Sequence, residues 1–189
     1  MQRVVLASGS PRRKQLLEWA EVPFDIVVAG TDESYPDNLA ISDIPVHIAR
    51  NKAIAVQHQV NERTIVAADT VVILHNEVIG KPENREHGIE ILQKLSGQSH
   101  LVITGVVIKN KEKEIAFADI TEVTFHKLTT EQITFYVDKY KPYDKAGAYA
   151  IQEWIGVVGI KAINGDFYNV MGLPVSRVVQ ALNSLSRDF

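Results

Sequence analysis

The chain has 189 residues, 46% of them hydrophobic, which is enough to bury a core and short enough for one domain over 1–189, so a single α/β unit is expected. Twenty basic residues against twenty-three acidic ones leave a net charge of -3, so no global positive field recommends nucleic acid as a partner. The absence of cysteine excludes disulfides, thiol catalysis and cysteine zinc sites.

The first element is an apolar strand, Val4 to Ala7, that stops at Ser8-Gly9-Ser10-Pro11 and gives way to a helical pattern from Leu16. Ser10 suits the N-cap and Pro11 the first helical position, where its missing N–H is no loss. Arg12 and Arg13 fall in that first turn, where the helix dipole disfavours positive side chains unless an anion is shared. An anion such as phosphate is the simplest reason for them and a solvated helix face the alternative, and the chain has neither a P-loop nor a dinucleotide-type glycine pattern. The stretch before it is too short for a signal peptide, and no later run approaches the roughly 18 apolar residues of a membrane span. A soluble cytoplasmic protein with no membrane partner follows as an expectation.

A second β-like run, Phe24 to Ala29, ends at Gly30-Thr31-Asp32-Glu33, which puts acidic residues in a loop at the edge of a sheet. Ser42-Asp43 reads as the cap of a helix with Ile48, Ala49, Ala53 and Val56 at helical spacing. Lys52 lies on or beside that apolar face, where its stem can cover the core. Thr64 to Ala68 is a near-continuous apolar strand that runs into Asp69-Thr70 and continues to Leu74. A carboxylate inside such a run must be protonated, tightly hydrogen-bonded or bound to a cation.

After a turn at His75-Asn76-Glu77, Gly80-Lys81-Pro82 fixes Lys81 in a rigid turn ahead of a helix from Glu83 to Leu95. His100 to Ile108 and Ile115 to Phe125 read as a long hairpin turning at Asn110-Lys111-Glu112. Thr129-Thr130-Glu131 starts a helix through Tyr140, on which Phe135, Tyr136 and Tyr140 read as packing residues. Asp144 to Gln152 combines small residues, which let backbone approach a ligand, with a terminal amide. An apolar run, Ile155 to Ile163, leads to a loop from Gly165 to Pro174 that feeds a last helix through Leu185. The six histidines show no pair at metal-ligand spacing and read as structural or surface residues.

These motifs, in this order, resemble the Maf family of nucleoside triphosphate pyrophosphatases over essentially the whole chain. The resemblance rests on Ser8-Gly9-Ser10-Pro11-Arg12-Arg13, the segment around Lys52, Asp69-Thr70, Gly80-Lys81-Pro82 and Asn169-Val170-Met171-Gly172-Leu173-Pro174. Ala150 stands where many members carry glycine. The implied fold is a mixed, twisted sheet flanked by helices, in an elongated two-lobed architecture like that of inosine triphosphate pyrophosphatases, with a central cleft.

Arg12, Arg13, Lys52 and Lys81 with Glu33 and Asp69 form the mixture that a metal-chelating polyphosphate requires. Cations neutralise phosphate oxygens, and carboxylates hold Mg²⁺ or Mn²⁺ and orient water. The resemblance implies hydrolysis of a nucleoside triphosphate between its α- and β-phosphates, with Mg²⁺, Mn²⁺ or Co²⁺ as cofactor. By the same similarity Asp69 is the proton acceptor and Glu33, with Asp69, a metal-associated carboxylate. Ser8, Arg12, Arg13, Lys52 and Lys81 hold the substrate, and Arg12, Thr70 and Gln152 set base choice as in the dTTP/UTP-directed subgroup. The related subgroup directed at methylated GTP typically has tryptophan at the position of Arg12. A homodimer is common in similar proteins, while the sequence leaves oligomeric state open. The alternative from another class is a nucleotide-binding regulator of septum formation or cell division that performs no turnover.

Overall fold

The computed structural model describes residues 2–111 and 113–187, and Glu112 at the tip of the expected hairpin lies outside the described residues. In chain order the elements are β1 (Val4–Leu6), α1 (Pro11–Trp19), β2 (Phe24–Ile26), α2 (Ile44–Gln57), β3 (Ile65–Leu74), β4 (Glu77–Ile79) and α3 (Arg85–Leu95). There follow β5 (Ser99–Lys109), β6 (Glu114–Phe125), α4 (Thr130–Tyr140), α5 (Trp154–Gly159), β7 (Ile160–Asn164), α6 (Phe167–Met171) and α7 (Val175–Arg187). Among the described residues the strands form one seven-stranded sheet in the order β2-β1-β3-β5-β6-β7, with β4 paired to β3. It is mixed, since β1 runs parallel to β2 and β3 while β3–β4 and β6–β7 are antiparallel. The expected α/β class is therefore correct. Among the described residues no helix is long and apolar enough to cross a membrane.

Contacts divide the chain into two compact units. The first comprises Met1–Asp69, Thr104–Asp119 and Gly172–Phe189. Strand β1 has parallel neighbours on both sides and is wholly buried, which is why it reads as an unbroken apolar run. Helix α2 packs Ala49, Ala53 and Val56 against Val5, Ala7, Ile65, Ala67 and Val107. The small side chains allow a close approach, and it is closest at Gly105, where a Cβ would overlap the backbone of Pro45 and Val46. Only glycine fits there.

The second unit comprises Thr70–Ile103 and Ile120–Met171. In its core α3 packs on α4, burying Ile91, Leu92, Leu95, Ile133, Tyr136 and Val137. Beside them His100 stacks on Phe125 and its Nε2 lies 2.7 Å from the Tyr149 hydroxyl. Burial pushes the His100 pKa down from 6.5 to about 4. Between those two values an unfolded chain takes up a proton that the folded chain refuses, so stability falls as pH drops from 6.5 towards 4 and is indifferent to this group above 6.5. The loss reaches about 3 kcal/mol at the acid end. Urea titrations of wild type and His100→Phe at pH 7 and pH 4.5 will show a smaller acid loss in the variant; equal losses would assign the effect to other groups.

Several boundaries differ from the sequence reading, each for a local reason. Strand β2 ends at Ile26, although the Val27 N–H still donates to Leu6 C=O at 3.2 Å. Ser42 and Asp43 do not cap α2 from an extended loop. They lie in a 3₁₀ turn, Ile41–Asp43, that runs directly into the helix, and Asp43 makes no side-chain cap bond. Helix α3 begins at Arg85 because Asn84 is its cap, its Oδ1 accepting the His87 N–H at 2.9 Å. The apolar run from Ile155 splits into α5 and β7, and the loop before α7 contains the short α6.

Candidate active site

Because β1, β2 and β3 are parallel with Leu6 opposite both Ile26 and Val66, β1 and β2 end at a common edge, level with the point where β3 runs on through Ala67 and Ala68 to Asp69. That edge is where ligands bind in open α/β sheets, since the loops there follow the strands and expose backbone groups. The loop after β1 carries Ser8 and leads into Arg12 and Arg13, the segment after β2 carries Glu33, and β3 itself delivers Asp69. Two strand pairings, β1–β2 and β1–β3, thus gather the residues of three separate motifs.

Ser10 caps α1 as expected, its Oγ accepting the Arg13 N–H at 3.5 Å, and Pro11 is the first helical residue. The Arg13 side chain is buried. Its Nε donates to Gly172 C=O at 2.8 Å and its Nη1 to Ser8 Oγ at 3.1 Å, and Ser8 Oγ also accepts the Ser10 N–H at 3.2 Å. The guanidinium therefore ties the serine-glycine-serine loop to the Gly172-Leu173-Pro174 stretch. Desolvation pulls the Arg13 pKa below its ordinary value; the charge of Asp69 opposes this, Arg12 adds to it and Glu33 opposes it again. The guanidinium stays protonated all the same. These opposing fields place Arg12, Asp69 and Glu33 within electrostatic reach of Arg13.

Lys52 is the centre of this site. It lies one turn beyond Ala49 on the flank of the packed face of α2, so its stem runs along the core and its ammonium emerges at the sheet edge. Nζ lies 2.6 Å from Asp69 Oδ1 and 2.9 Å from Glu33 Oε1. The Asp69 side chain is only 13% exposed, and of the readings open to it in the sequence the structure shows the tight ion pair. Glu33 is 48% exposed and meets the same ammonium from the solvent side. Two carboxylates converging on one cation form an arrangement that can exchange an ammonium for a divalent ion.

Three further candidates belong to the second unit. Thr70 is half-buried on β3, Lys81 is exposed in the turn after β4, and Gln152 is exposed in a turn before α5. The Lys81 turn is anchored where Gly80 C=O accepts the Gly147 N–H at 3.1 Å. Asn169 of the asparagine-valine motif is fully buried, and its amide donates to Val102 C=O at 3.1 Å and Thr121 Oγ1 at 2.9 Å. It holds α6 on β5 and β6.

The sequence reading passed over one group near Gln152. Tyr136, read as packing, has its hydroxyl bonded to the Glu153 carboxylate and to the Ala150 N–H, and Lys145 is a buried lysine. The only sequence signal was a lysine among small residues, Asp144-Lys145-Ala146-Gly147, where a solvated charge has little reason to be.

A family model described as Maf-like protein matches residues 3–185. A dTTP/UTP pyrophosphatase of Cytophaga hutchinsonii is 50% identical over 96% of this chain and 84% of that protein. One of Parabacteroides distasonis is 50% identical over 95% of this chain and 94% of that protein. The solved structure of a HAM1 protein from Coxiella burnetii is similar in fold, with TM-score 0.53 at 15% identity over 97% of this chain and 100% of that one. Sequence motifs, fold and full-length similarity agree, and the chain belongs to the Maf-like protein family.

Proposed function

We propose that this protein hydrolyses dTTP and UTP between the α- and β-phosphates, giving the nucleoside monophosphate and pyrophosphate, and does so with a divalent metal. The observation that carries the reading is the Lys52 ammonium held between Asp69 and Glu33 beside Arg12 and Arg13. Pure anion binding calls for cations and backbone N–H groups, and carboxylates at such a site repel phosphate unless a metal intervenes. Relatives named dTTP/UTP pyrophosphatase support the reaction, and a regulator without turnover is not favoured. The protein would act on free nucleotides in the cytoplasm.

The donor set suits a hard cation. Glu33 and Asp69 supply carboxylate oxygens, while among the described residues no group of three or more His, Asp or Glu side chains could hold an ion alone. The remaining ligands would come from phosphate oxygens and water, as is usual for Mg²⁺. Bound there, the ion would neutralise phosphate charge and polarise the attacked phosphoryl group. The chain's own residues do the rest. Arg12, Arg13, Lys52 and Lys81 neutralise and align the polyphosphate, Ser8 holds Arg13 in place, and Asp69 accepts a proton from the attacking water. A panel of canonical and modified triphosphates, assayed with Mg²⁺, Mn²⁺ or Co²⁺ and with EDTA, tests this reading: turnover of pyrimidine triphosphates only with metal supports it, and no turnover of any member contradicts it.

Base choice and phosphate binding are separable. Gln152 offers a donor and an acceptor and Thr70 a hydroxyl, a set able to read the O4 and N3–H edge of uracil or thymine, and the family resemblance adds Arg12 to the residues that set base choice. Gln152 is exposed until a bound base covers it, and a base-edge group covered there without its partner costs about 1–3 kcal/mol, so Gln152→Ala will lower the UTP-over-GTP ratio of kcat/KM roughly ten-fold. Lys81→Ala will weaken all triphosphates by similar factors, because every substrate carries the same polyphosphate. Equal losses across bases in both variants would remove Gln152 from base reading.

A further inference from the structure

We propose that Tyr136 is a positioning residue for base selection, its hydroxyl clamping both ends of the four-residue turn that carries Gln152. The inference rests on Gln152 being the base reader. The turn runs from Ala150 to Glu153 and is closed by the Glu153 N–H donating to Ala150 C=O at 3.1 Å. The Tyr136 hydroxyl accepts the Ala150 N–H at 3.2 Å and donates to Glu153 Oε2. One buried atom on the rigid α4 thus fixes the first and last residues of the turn, and Gln152 sits between them.

Three more features point the same way. Glu153 occupies the N-cap position of α5, where a side chain ordinarily accepts a backbone N–H of its own helix, yet it makes no cap bond. Its carboxylate is turned to Tyr136, and Lys145 Nζ stands 3.7 Å from Oε1, itself held 2.8 Å from Asp144. Gly156 lets α5 press onto the turn, since a Cβ there would overlap the Ile151 carbonyl. The Tyr136 ring is fully buried and stacks on Tyr140, so the clamp has little freedom to move. An amide that must distinguish one base edge from another gains most from such a fixed base, because a misplacement of about 1 Å forfeits its hydrogen bonds.

The test is a cycle on kcat/KM for UTP and GTP. Tyr136→Phe keeps the ring and removes the clamp; the UTP-over-GTP ratio will fall roughly five-fold, while in a Gln152→Ala background the same change will alter it less than about two-fold. Glu153→Ala will reproduce the loss, and Glu153→Gln, which keeps an acceptor for the hydroxyl, will restore the ratio, so the proposal stays testable if Tyr136→Phe folds poorly. An unchanged ratio in Tyr136→Phe and Glu153→Ala, a uniform loss for both nucleotides, or independent effects of Tyr136 and Gln152 would overturn it. Failure of the functional reading looks different: wild type itself would then show no preference or no turnover, and the clamp would have no base selection to serve.

Discussion

Asp69→Asn will reduce pyrophosphate release from UTP roughly 100-fold or more while leaving the fold intact. Asparagine keeps the size of the side chain and one oxygen acceptor, so the strand geometry survives. What it loses is the negative charge to which the proposed reaction gives the tasks of accepting a proton and holding a metal. Asp69 lies 2.6 Å from Lys52, the centre of the site, and is nearly enclosed at the end of a run of four buried residues, Ile65 to Ala68. Glu33, the more exposed partner on the same ammonium, gives the comparison. If Asp69→Asn turned over like wild type while Glu33→Gln were dead, the proton acceptor would be Glu33. Circular dichroism and urea titration of both variants separate loss of chemistry from loss of structure.

Lys52→Ala is the second large effect. Its ammonium is the shared partner of both carboxylates, so the variant loses what we propose is a phosphate ligand and leaves Asp69 and Glu33 to repel each other and an anionic substrate. Turnover will fall roughly 100-fold, by the same factor for UTP, dTTP and GTP, because the loss concerns the polyphosphate and not the base. Stability will fall by about 1–3 kcal/mol, less than for a fully buried pair because Glu33 is half exposed and screened. Added Mg²⁺ will recover more stability in Lys52→Ala than in wild type, since the bare carboxylate pair is the better cation site. A base-dependent loss, or a variant as active as wild type, would contradict the role given to Lys52.

Features set by neighbours in sequence were legible there. Ser10 and Pro11 announce the start of α1 by local backbone chemistry, and a carboxylate at position 69 is conspicuous because it interrupts apolar residues. The partner of that carboxylate was not legible: Lys52 is 17 residues away, and helical periodicity alone fits a lysine that merely covers the core. The run from Ile155 to Ile163 carries apolar residues at almost every position, so neither a period of two nor of 3.6 stands out and the change from α5 to β7 is invisible. Helix α6 is five residues long, too short for any period to show. Tyr136 reads as packing because its ring is indeed packed, and only the fold brings its hydroxyl to groups 14 and 17 residues ahead.

The products of UTP hydrolysis test the account most directly. Incubated with Mg²⁺ or Mn²⁺ and resolved by phosphorus NMR, UTP should give UMP and pyrophosphate in equal amounts from the first turnover, with no orthophosphate and no UDP. Orthophosphate appearing with UDP would place the cleavage at the γ-phosphate and contradict the site built on Asp69, Lys52 and Glu33 as an α,β-pyrophosphatase.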